Sequence, residues 1–368
     1  MKPFEYGCVV KNEMFCPRPV IEAELRRYME NGQNVVVFGE RRMGKTSLIM
    51  SSFSKIRRCR MIYVDLLNIR TIADFCDRVA SAVSRMSSAK GLVGSVLGYL
   101  ARLRPTLSLD PQNGMPVVSV DSRLAENVSS FEDVITMIEK LSAKERVIVV
   151  FDEFQEILKL PDSAVALATL RSRIQFLSEV CFVFSGSVRK DMVGIFTDYR
   201  SPFYKSAASL EVSAIDDEDF MDFLQRRFVV GGRKTDREFL LTVLEKANRI
   251  SGDVQQLCDA IWSVTEQDAV LGASDLKNGI EQILRADGDA FAAQTSSLTR
   301  YQMKALRGIA RFGGEHVYSS DFIERASLSS APTVKRAVDK LIDLGLICCH
   351  KKAYRIFNPF LIEWLNRY

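Results

Sequence analysis

The sequence predicts an α/β domain around a parallel sheet of five strands, followed by an all-helical domain and a module of three helices and a β-hairpin. Three features indicate this organisation. Apolar runs alternate with helical patterns as far as residue 213, which is typical of α/β layered domains. Residues 214–287 show helical patterns alone. Residues 296–368 show three helical patterns before two short strand patterns.

The strands predicted for the first domain, residues 1–213, are short and strongly apolar. The run 147–151 is continuous, as in strands buried on both faces of a parallel sheet. Predicted strands cover 34–38, 61–66, 147–151, 181–184 and 209–212, and predicted helices cover 20–30, 45–54, 71–86 and 129–141. Leu107 and Leu109 alternate with serine before an Asn113-Gly114 turn, so we expect a β-hairpin insertion near 105–121.

The rest of the chain divides into a helical domain and a C-terminal module. Helices are predicted at 216–229, 235–250, 253–268 and 274–286, then at 299–311, 320–326 and 331–344, with hairpin strands at 346–350 and 353–357. The composition of 288–297, rich in Gly, Ala, Thr and Ser, predicts a linker. Three helices and a hairpin predict a winged helix over 296–368. The apolar pattern of the final helix, around Trp364, predicts core or a docking surface.

A phosphate-binding loop is predicted between the first strand and the helix 45–54. Residues 39–46 match GxxxxGK[ST] in the strand–loop–helix context that this pattern requires. The glycines let main-chain N–H groups turn inward around an anion, towards which the helix directs its positive end. Lys45 is expected to reach the phosphates, and Thr46 to offer its hydroxyl to Mg²⁺. The predicted nucleotide-binding residues of the loop are Gly39, Glu40, Arg41, Arg42, Met43, Gly44, Lys45, Thr46 and Ser47.

Polar side chains follow two of the later strands. Asp152 and Glu153 stand where a Walker B strand delivers carboxylates, because open α/β sheets bind ligands at the carboxyl ends of their strands. Asp152 is expected to hold Mg²⁺ through water, and Glu153 to act as general base on the attacking water. Ser185 and Ser187 are candidates for a sensor of the γ-phosphate or of that water. Capping of the following helix is an equal alternative for Ser187.

These motifs resemble the archaeal-type ATPase family (the ATPase_2 group) within the AAA+/STAND class of P-loop ATPases. The resemblance spans nearly the whole chain and rests on FGERRMGKTSL at 38–48, FDEFQEI at 151–157, FSGS at 184–187, PFY at 202–204 and SGDVQQL at 251–257. It implies a five-stranded parallel core, a helical lid over 214–287 and a C-terminal winged helix. It also implies binding of ATP and Mg²⁺, with hydrolysis driving a conformational switch.

The chain departs from that family at three places. The family has an N-terminal Gly-Arg pair that frames the adenine, whereas 16–18 read Cys-Pro-Arg, so the resemblance carries over Arg18 alone. Residues 252–254 lack both the proline and the sensing arginine of relatives. The third place is the segment after the sensor strand, where no single residue matches the arginine finger of relatives and Arg200 is the candidate. Arg189 and Lys205 lie in the same segment, and a solvated surface side chain is the alternative for each.

The C-terminal module carries the basic excess of the chain. Residues 296–368 contain 12 Lys and Arg against 6 Asp and Glu, and the rest contain 38 against 40. In DNA-binding proteins of the helix-turn-helix type the recognition helix enters the major groove, and wing lysines would contact phosphate. The predicted contacts to double-stranded DNA are Lys335, Arg336, Lys340, Lys351 and Lys352. Asp339 and Asp343 on the same face would repel phosphate, and packing on the ATPase domain as a lock is the alternative.

The sequence therefore predicts one of two functions. One is an ATP-hydrolysing switch whose nucleotide state controls the winged helix, and the other is a nucleotide-gated DNA-binding protein similar to origin-recognition initiators. The lid, the winged helix and the Asp-Glu pair argue against a small-molecule or nucleotide kinase. We expect ATP or ADP and Mg²⁺ as cofactors, and AAA+ relatives suggest self-association in the ATP state. Without a secretory leader or an apolar run of about 18 residues, we expect a cytoplasmic protein with no membrane partner.

Overall fold

The chain folds into a sequence of short strands and helices. A computed structural model describes residues 2–87, 106–109, 116–119, 128–143, 145–187, 189–350 and 353–367. The strands are β1 (Val35–Phe38), β2 (Cys59–Asp65), β3 (Thr106–Leu109), β4 (Pro116–Ser119), β5 (Arg146–Asp152), β6 (Val180–Gly186), β7 (Ala208–Glu211), β8 (Ile347–His350) and β9 (Ala353–Ile356). The helices are α1 (Pro19–Glu30), α2 (Lys45–Ser54), α3 (Ile72–Ser87), α4 (Val128–Ser142), α5 (Ser163–Ile174), α6 (Arg189–Thr197), α7 (Asp217–Val230), α8 (Arg237–Lys246), α9 (Ser251–Val264), α10 (Ala273–Thr295), α11 (Arg300–Phe312), α12 (Ser320–Arg325), α13 (Ala331–Asp343) and α14 (Pro359–Arg367).

Five parallel strands form the central sheet, in the order β2-β5-β6-β1-β7. Every pairing between neighbours is parallel. The carboxyl ends of the strands therefore meet at one edge, where Phe38 pairs with Gly186 and Asp65 pairs with Asp152. The predicted five-stranded parallel sheet is confirmed.

An aromatic cluster supports the ends of β5 and β6. Phe151, Phe154, Phe184, Phe196 and Phe203 are all buried. The ring centroids of Phe154 and Phe184 lie 4.7 Å apart, and those of Phe184 and Phe203 lie 5.5 Å apart. Burial of one such side chain stabilises a fold by about 1.5–3 kcal/mol. The cluster therefore fixes the strand ends that carry the polar residues of the sheet edge.

The local sequence pattern predicts the β3–β4 hairpin correctly but does not predict helix α5. β3 and β4 pair antiparallel with Leu107 opposite Val118, which confirms the predicted hairpin, while its turn lies outside the described residues. Helix α5 was not predicted. The buried side chains of this helix, among them Leu167 and Leu170, follow a helical period. Val165 is half exposed, so the difference in hydrophobicity between the two faces of the helix is small.

The chain divides into two compact units, Val9–Ser213 and a second that joins Met1–Cys8 to Ala214–Tyr368. The division after residue 213 lies where the sequence places it, whereas the first eight residues belong to the second unit rather than to the α/β domain. Phe4 is buried there, with its ring centroid 4.7 Å from that of Phe228. The Arg227 guanidinium donates to the Pro3 carbonyl at 2.8 Å, so packing rather than local sequence assigns this segment.

Helix α10 corrects the predicted linker. It runs without a break from Ala273 to Thr295 and so covers most of 288–297. Phe291 in this stretch is buried, and its ring centroid lies 6.3 Å from that of Trp364. Tertiary packing outweighs the flexible composition here. In the described ranges no helix, α10 included, combines the length and apolarity that crossing a membrane needs.

The C-terminal module is a winged helix made of α11–α13, the β8–β9 hairpin and α14. The Thr299 hydroxyl caps α11 by accepting from the Gln302 N–H at 3.2 Å. Helix α13 buries Val334, Val338 and Leu341. Helix α14 buries Leu365 among other apolar residues, which confirms the prediction for the final helix.

Candidate active site

The phosphate loop links β1 to α2 in a conformation that its sequence permits. Gly44, just before α2, is left-handed with φ 81°, and Arg42 is left-handed with φ 64°. The Lys45 ammonium is buried and donates to the carbonyls of Gly39 at 3.1 Å and Glu40 at 2.9 Å. Burial lowers the pKa of Lys45, and the nearby carboxylates of Glu153 and Asp152 oppose that shift. The lysine side chain thus contacts the main chain of the loop at both Gly39 and Glu40.

Gly39 has a packing role that the motif does not reveal. A Cβ atom there would overlap the main-chain carbonyl oxygen of Val212, just after β7. The Val212 N–H donates to the Phe38 carbonyl at 2.7 Å, which holds the two segments together. Only glycine fits at the start of the loop while this contact persists.

Asp152 is the most heavily bonded acidic group at this edge. It is 5 % exposed, and its Oδ2 accepts from the Thr46 hydroxyl at 2.7 Å and from the Tyr63 hydroxyl at 2.6 Å. Its Oδ1 accepts from the Glu153 N–H at 3.0 Å. The structure therefore brings together the two residues predicted to hold Mg²⁺. Burial, reinforced by the Asp152 charge, raises the pKa of Tyr63, so the phenol stays protonated and donates.

Tyr63 is the site residue that sequence reasoning missed. It lies on β2, where Tyr63 pairs with Val150 and Asp65 with Asp152. Side chains two residues apart on a strand share a face, so Tyr63 and Asp152 are diagonal neighbours on the same side of the sheet. No local signal marks Tyr63, because the contact depends on the register between two strands far apart in sequence.

Glu153 leaves β5 in a left-handed conformation, with φ 50°. Its Oε2 accepts from the Ser187 hydroxyl at 2.8 Å and from the Gln155 amide. Ser185 is fully buried, and its hydroxyl has no hydrogen-bond partner among the described residues. The two predicted sensor serines thus differ. Ser187 follows β6 and contacts the predicted base, whereas Ser185 lies within β6 and makes no such contact.

Arg18 contacts main chain on both sides of the loop. Its guanidinium donates to the Met43 carbonyl at 2.9 Å and to the Ser213 carbonyl at 2.7 Å. Burial lowers the pKa of Arg18 to about 10, which leaves it charged at neutral pH. The geometry makes Arg18 a support of the loop, and a contact with adenine stays a prediction.

The groups at this edge suit a magnesium nucleotide. Carboxylate and hydroxyl oxygens are the ligands that Mg²⁺ prefers, and Asp152 and Thr46 supply both within hydrogen-bond contact of each other. The unpartnered Ser185 hydroxyl is consistent with a ligand, since buried polar groups in proteins are nearly always bonded. Thr46 and Asp152 would hold the metal, and Lys45 with the main chain of the loop would hold the phosphates.

The other predicted site residues differ in burial and in their contacts. Arg41 and Arg42 are exposed, and Ser47 is buried with its hydroxyl accepting from the Val10 N–H at 3.1 Å. Arg200 is exposed and donates to Asp198 at 2.9 Å, so its role as a finger stays a prediction. In the winged helix, Lys335, Arg336 and Lys340 are exposed, while Lys351 and Lys352 lie outside the described residues.

Two family models match the chain. Residues 22–241 match an ATPase domain found predominantly in Archaea, and residues 289–367 match a probable winged helix domain. The chain belongs to this archaeal-type ATPase family. Membership agrees with the Walker residues gathered at the sheet edge and with the winged helix, and it implies nucleotide binding. No protein of curated function matches the chain in sequence.

Several solved structures share the fold of this chain. The Walker-type ATPase PABY2304 of Pyrococcus abyssi superposes with a TM-score of 0.64 at 18 % identity, over 97 % of each chain. The ORC2 protein of Aeropyrum pernix, in its ADPNP–ADP complexes, gives 0.58 at 15 % identity, covering 97 % of this chain and 96 % of its own. The Aeropyrum pernix ORC1 protein, solved in complex with DNA, gives 0.50 at 15 % identity, covering 98 % and 95 %.

Proposed function

We propose that this protein binds Mg²⁺ and ATP at the phosphate loop, hydrolyses ATP, and uses its nucleotide state to control the winged helix. The observation that carries the proposal is the 2.7 Å bond from the Thr46 hydroxyl to Asp152, next to the buried Lys45. Residues 106 positions apart meet there. A chance match to the loop motif alone gives no reason for a carboxylate at this place.

Each residue at the edge has a distinct task in this proposal. Lys45 and the main-chain N–H groups of the loop bind and orient the phosphates. Bound Mg²⁺ neutralises charge on the phosphates. Glu153 takes a proton from the attacking water at its carboxylate. Ser187 and Gln155, which donate to Glu153 Oε2, restrict how far this carboxylate can swing.

The test of hydrolysis is Glu153→Gln. The amide keeps the size of the side chain but cannot accept the proton, so we expect the rate of ATP hydrolysis to fall by about 10²–10⁴-fold. ATP affinity, measured with a fluorescent nucleotide, should stay close to wild type because the loop and Lys45 are intact. Glu179→Gln, an exposed change in the same unit, is the matched control. Unchanged turnover in Glu153→Gln would remove Glu153 from the mechanism.

Control of the winged helix is supported by its attachment to the helical domain. Helix α10 runs from the helical domain into the winged-helix module, and the Lys246 ammonium lies 2.9 Å from Glu363 on α14. Arg367 on α14 lies 3.8 Å from Glu281 on α10. Since a continuous helix and these ion pairs join the two modules, we infer that they move together when the nucleotide changes.

A second candidate function is nucleotide-gated DNA binding. Helix α13 buries one apolar face and exposes Lys335, Arg336 and Lys340, as a recognition helix does. The fold is also that of ORC1 of Aeropyrum pernix, which was solved with DNA. Asp339 and Asp343 are exposed on the same helix and would lower the affinity for phosphate. Fluorescence anisotropy of labelled duplex DNA, with and without ATP, tests this candidate.

A further inference from the structure

We propose that Tyr63 is a positioning residue for the metal site, which holds Asp152 in place through a hydrogen bond to Oδ2. The inference rests on the proposed function, because it assigns Asp152 to Mg²⁺. It adds a residue on a different strand that neither the Walker motifs nor the family match identifies.

The two hydroxyl groups on Asp152 Oδ2 are not equivalent. Thr46 donates at 2.7 Å, but its oxygen is itself a predicted metal ligand, so the position of this hydroxyl depends on the metal. Tyr63 donates at 2.6 Å from β2 and has no ligand role. Tyr63 is therefore the side-chain donor that keeps Oδ2 in place independently of the metal.

The remaining carboxylate oxygen faces a different direction. Oδ1 accepts from the Glu153 N–H at 3.0 Å. Donors on both oxygens fix the plane of the Asp152 carboxylate. The orientation of this plane would determine where Asp152 can accept a hydrogen bond from a water on the metal. Partners of metal ligands generally orient those ligands, and their loss lowers metal affinity or activity by about 10–100-fold.

The sheet supplies the rigidity that positioning requires. β2 and β5 pair along seven residues, from Cys59–Arg146 to Asp65–Asp152, so Tyr63 and Asp152 are fixed by backbone hydrogen bonds. Tyr63 is half buried, and a phenylalanine ring fills the same space without the hydroxyl. Tyr63→Phe therefore isolates the hydrogen bond from the packing of the ring.

The experiment measures ATP affinity with and without Mg²⁺ by fluorescence of a labelled ATP analogue, for wild type and Tyr63→Phe. In EDTA we expect equal affinities, because the loop and Lys45 bind the phosphates. When Mg²⁺ is added in increasing concentration, we expect Tyr63→Phe to need roughly tenfold more Mg²⁺ than wild type for the same increase in ATP affinity. Mn²⁺ binding to the nucleotide complex, followed by electron paramagnetic resonance, should weaken by a similar factor.

Tyr28→Phe is the matched control, since Tyr28 is also half buried and donates to a carboxylate, Glu24, at 2.8 Å. It should leave the Mg²⁺ requirement unchanged. In an Asp152→Asn background, Tyr63→Phe should have no further effect on that requirement.

Two outcomes would overturn the inference: an unchanged Mg²⁺ requirement in Tyr63→Phe, or a loss of ATP affinity in EDTA equal to the loss with Mg²⁺. Absence of any Mg²⁺-dependent gain in wild type would instead overturn the proposed function.

Discussion

At the scale of single residues, Gly39 shows that one motif position serves two purposes. The sequence explains the glycine by the turn of main-chain N–H groups around phosphate. The structure adds a steric reason, because a Cβ atom would strike the Val212 carbonyl oxygen. The Val212 carbonyl belongs to a main-chain segment that the hydrogen bond from the Val212 N–H to the Phe38 carbonyl holds in place, so it cannot move aside as a flexible side chain does. The position is therefore constrained even when no nucleotide is bound.

The substitution Gly39→Ala tests this steric explanation. The overlap with Val212 should lower the free energy of unfolding of the Val9–Ser213 unit by about 1–3 kcal/mol, as overpacking does in protein cores. Denaturant unfolding without nucleotide measures this effect apart from ATP binding. Gly194→Ala in α6 is the control, since a Cβ atom there meets nothing within 4 Å. Equal stability of Gly39→Ala and wild type would contradict the steric explanation.

At the scale of secondary-structure elements, α10 is the clearest departure from the sequence pattern. Gly, Ala, Thr and Ser predicted a linker over 288–297, but alanine is also the best helix former. Burial of Phe291 and its contact with Trp364 supply the tertiary support that a helix of this composition needs. Composition alone did not distinguish a flexible linker from a small-residue helix.

Substitutions at Gly288 test whether this part of α10 is helical. Gly288→Pro should lower the free energy of unfolding by about 3 kcal/mol, because proline removes a helix hydrogen bond and clashes with the preceding turn. Gly288→Ala should raise it by about 0.5–1 kcal/mol, since a Cβ atom there meets nothing within 4 Å. Both are measured by thermal or denaturant unfolding.

Gly279→Ala in the same helix is the contrasting control. A Cβ atom there would lie 3.1 Å from the Ile261 main-chain nitrogen and closer still to the Ile261 side chain, so this change should destabilise. If proline at 288 were tolerated as well as alanine, residues 288–295 would be a linker after all.

At the scale of the whole molecule, the charge distribution matters more than the net charge of +4. Residues 296–368 carry an excess of six basic residues, and the rest of the chain carries a slight acidic excess. The folded winged helix places this charge on specific surfaces. Lys335, Arg336 and Lys340 are exposed on α13, whereas acidic Glu363 pairs with Lys246 of the helical domain.

DNA binding should therefore be salt-dependent and sensitive to α13. We expect wild type to bind duplex DNA with an affinity that falls as salt rises, by counterion release. Lys335→Glu should weaken binding and reduce the slope of log affinity against log salt by about one. Fluorescence anisotropy at several salt concentrations, with and without ATP, measures both effects.

Lys277→Glu, the same charge change at an exposed position of the helical domain, is the control. Equal effects of the two substitutions would show that net charge, and not α13, governs binding. An affinity that does not depend on nucleotide would exclude gating and leave the ATPase switch as the remaining function.

The sequence by itself determined the parallel sheet, the phosphate loop, the two carboxylates at the end of β5 and the winged helix. These features are local, because each is recognised from a short stretch of sequence and the elements predicted directly before and after it. Only the tertiary structure decided that Tyr63 reaches Asp152, that Arg18 supports the loop, that residues 1–8 join the second unit and that α10 continues past Gly288. These depend on strand register and on packing between distant segments, which no single stretch of sequence encodes.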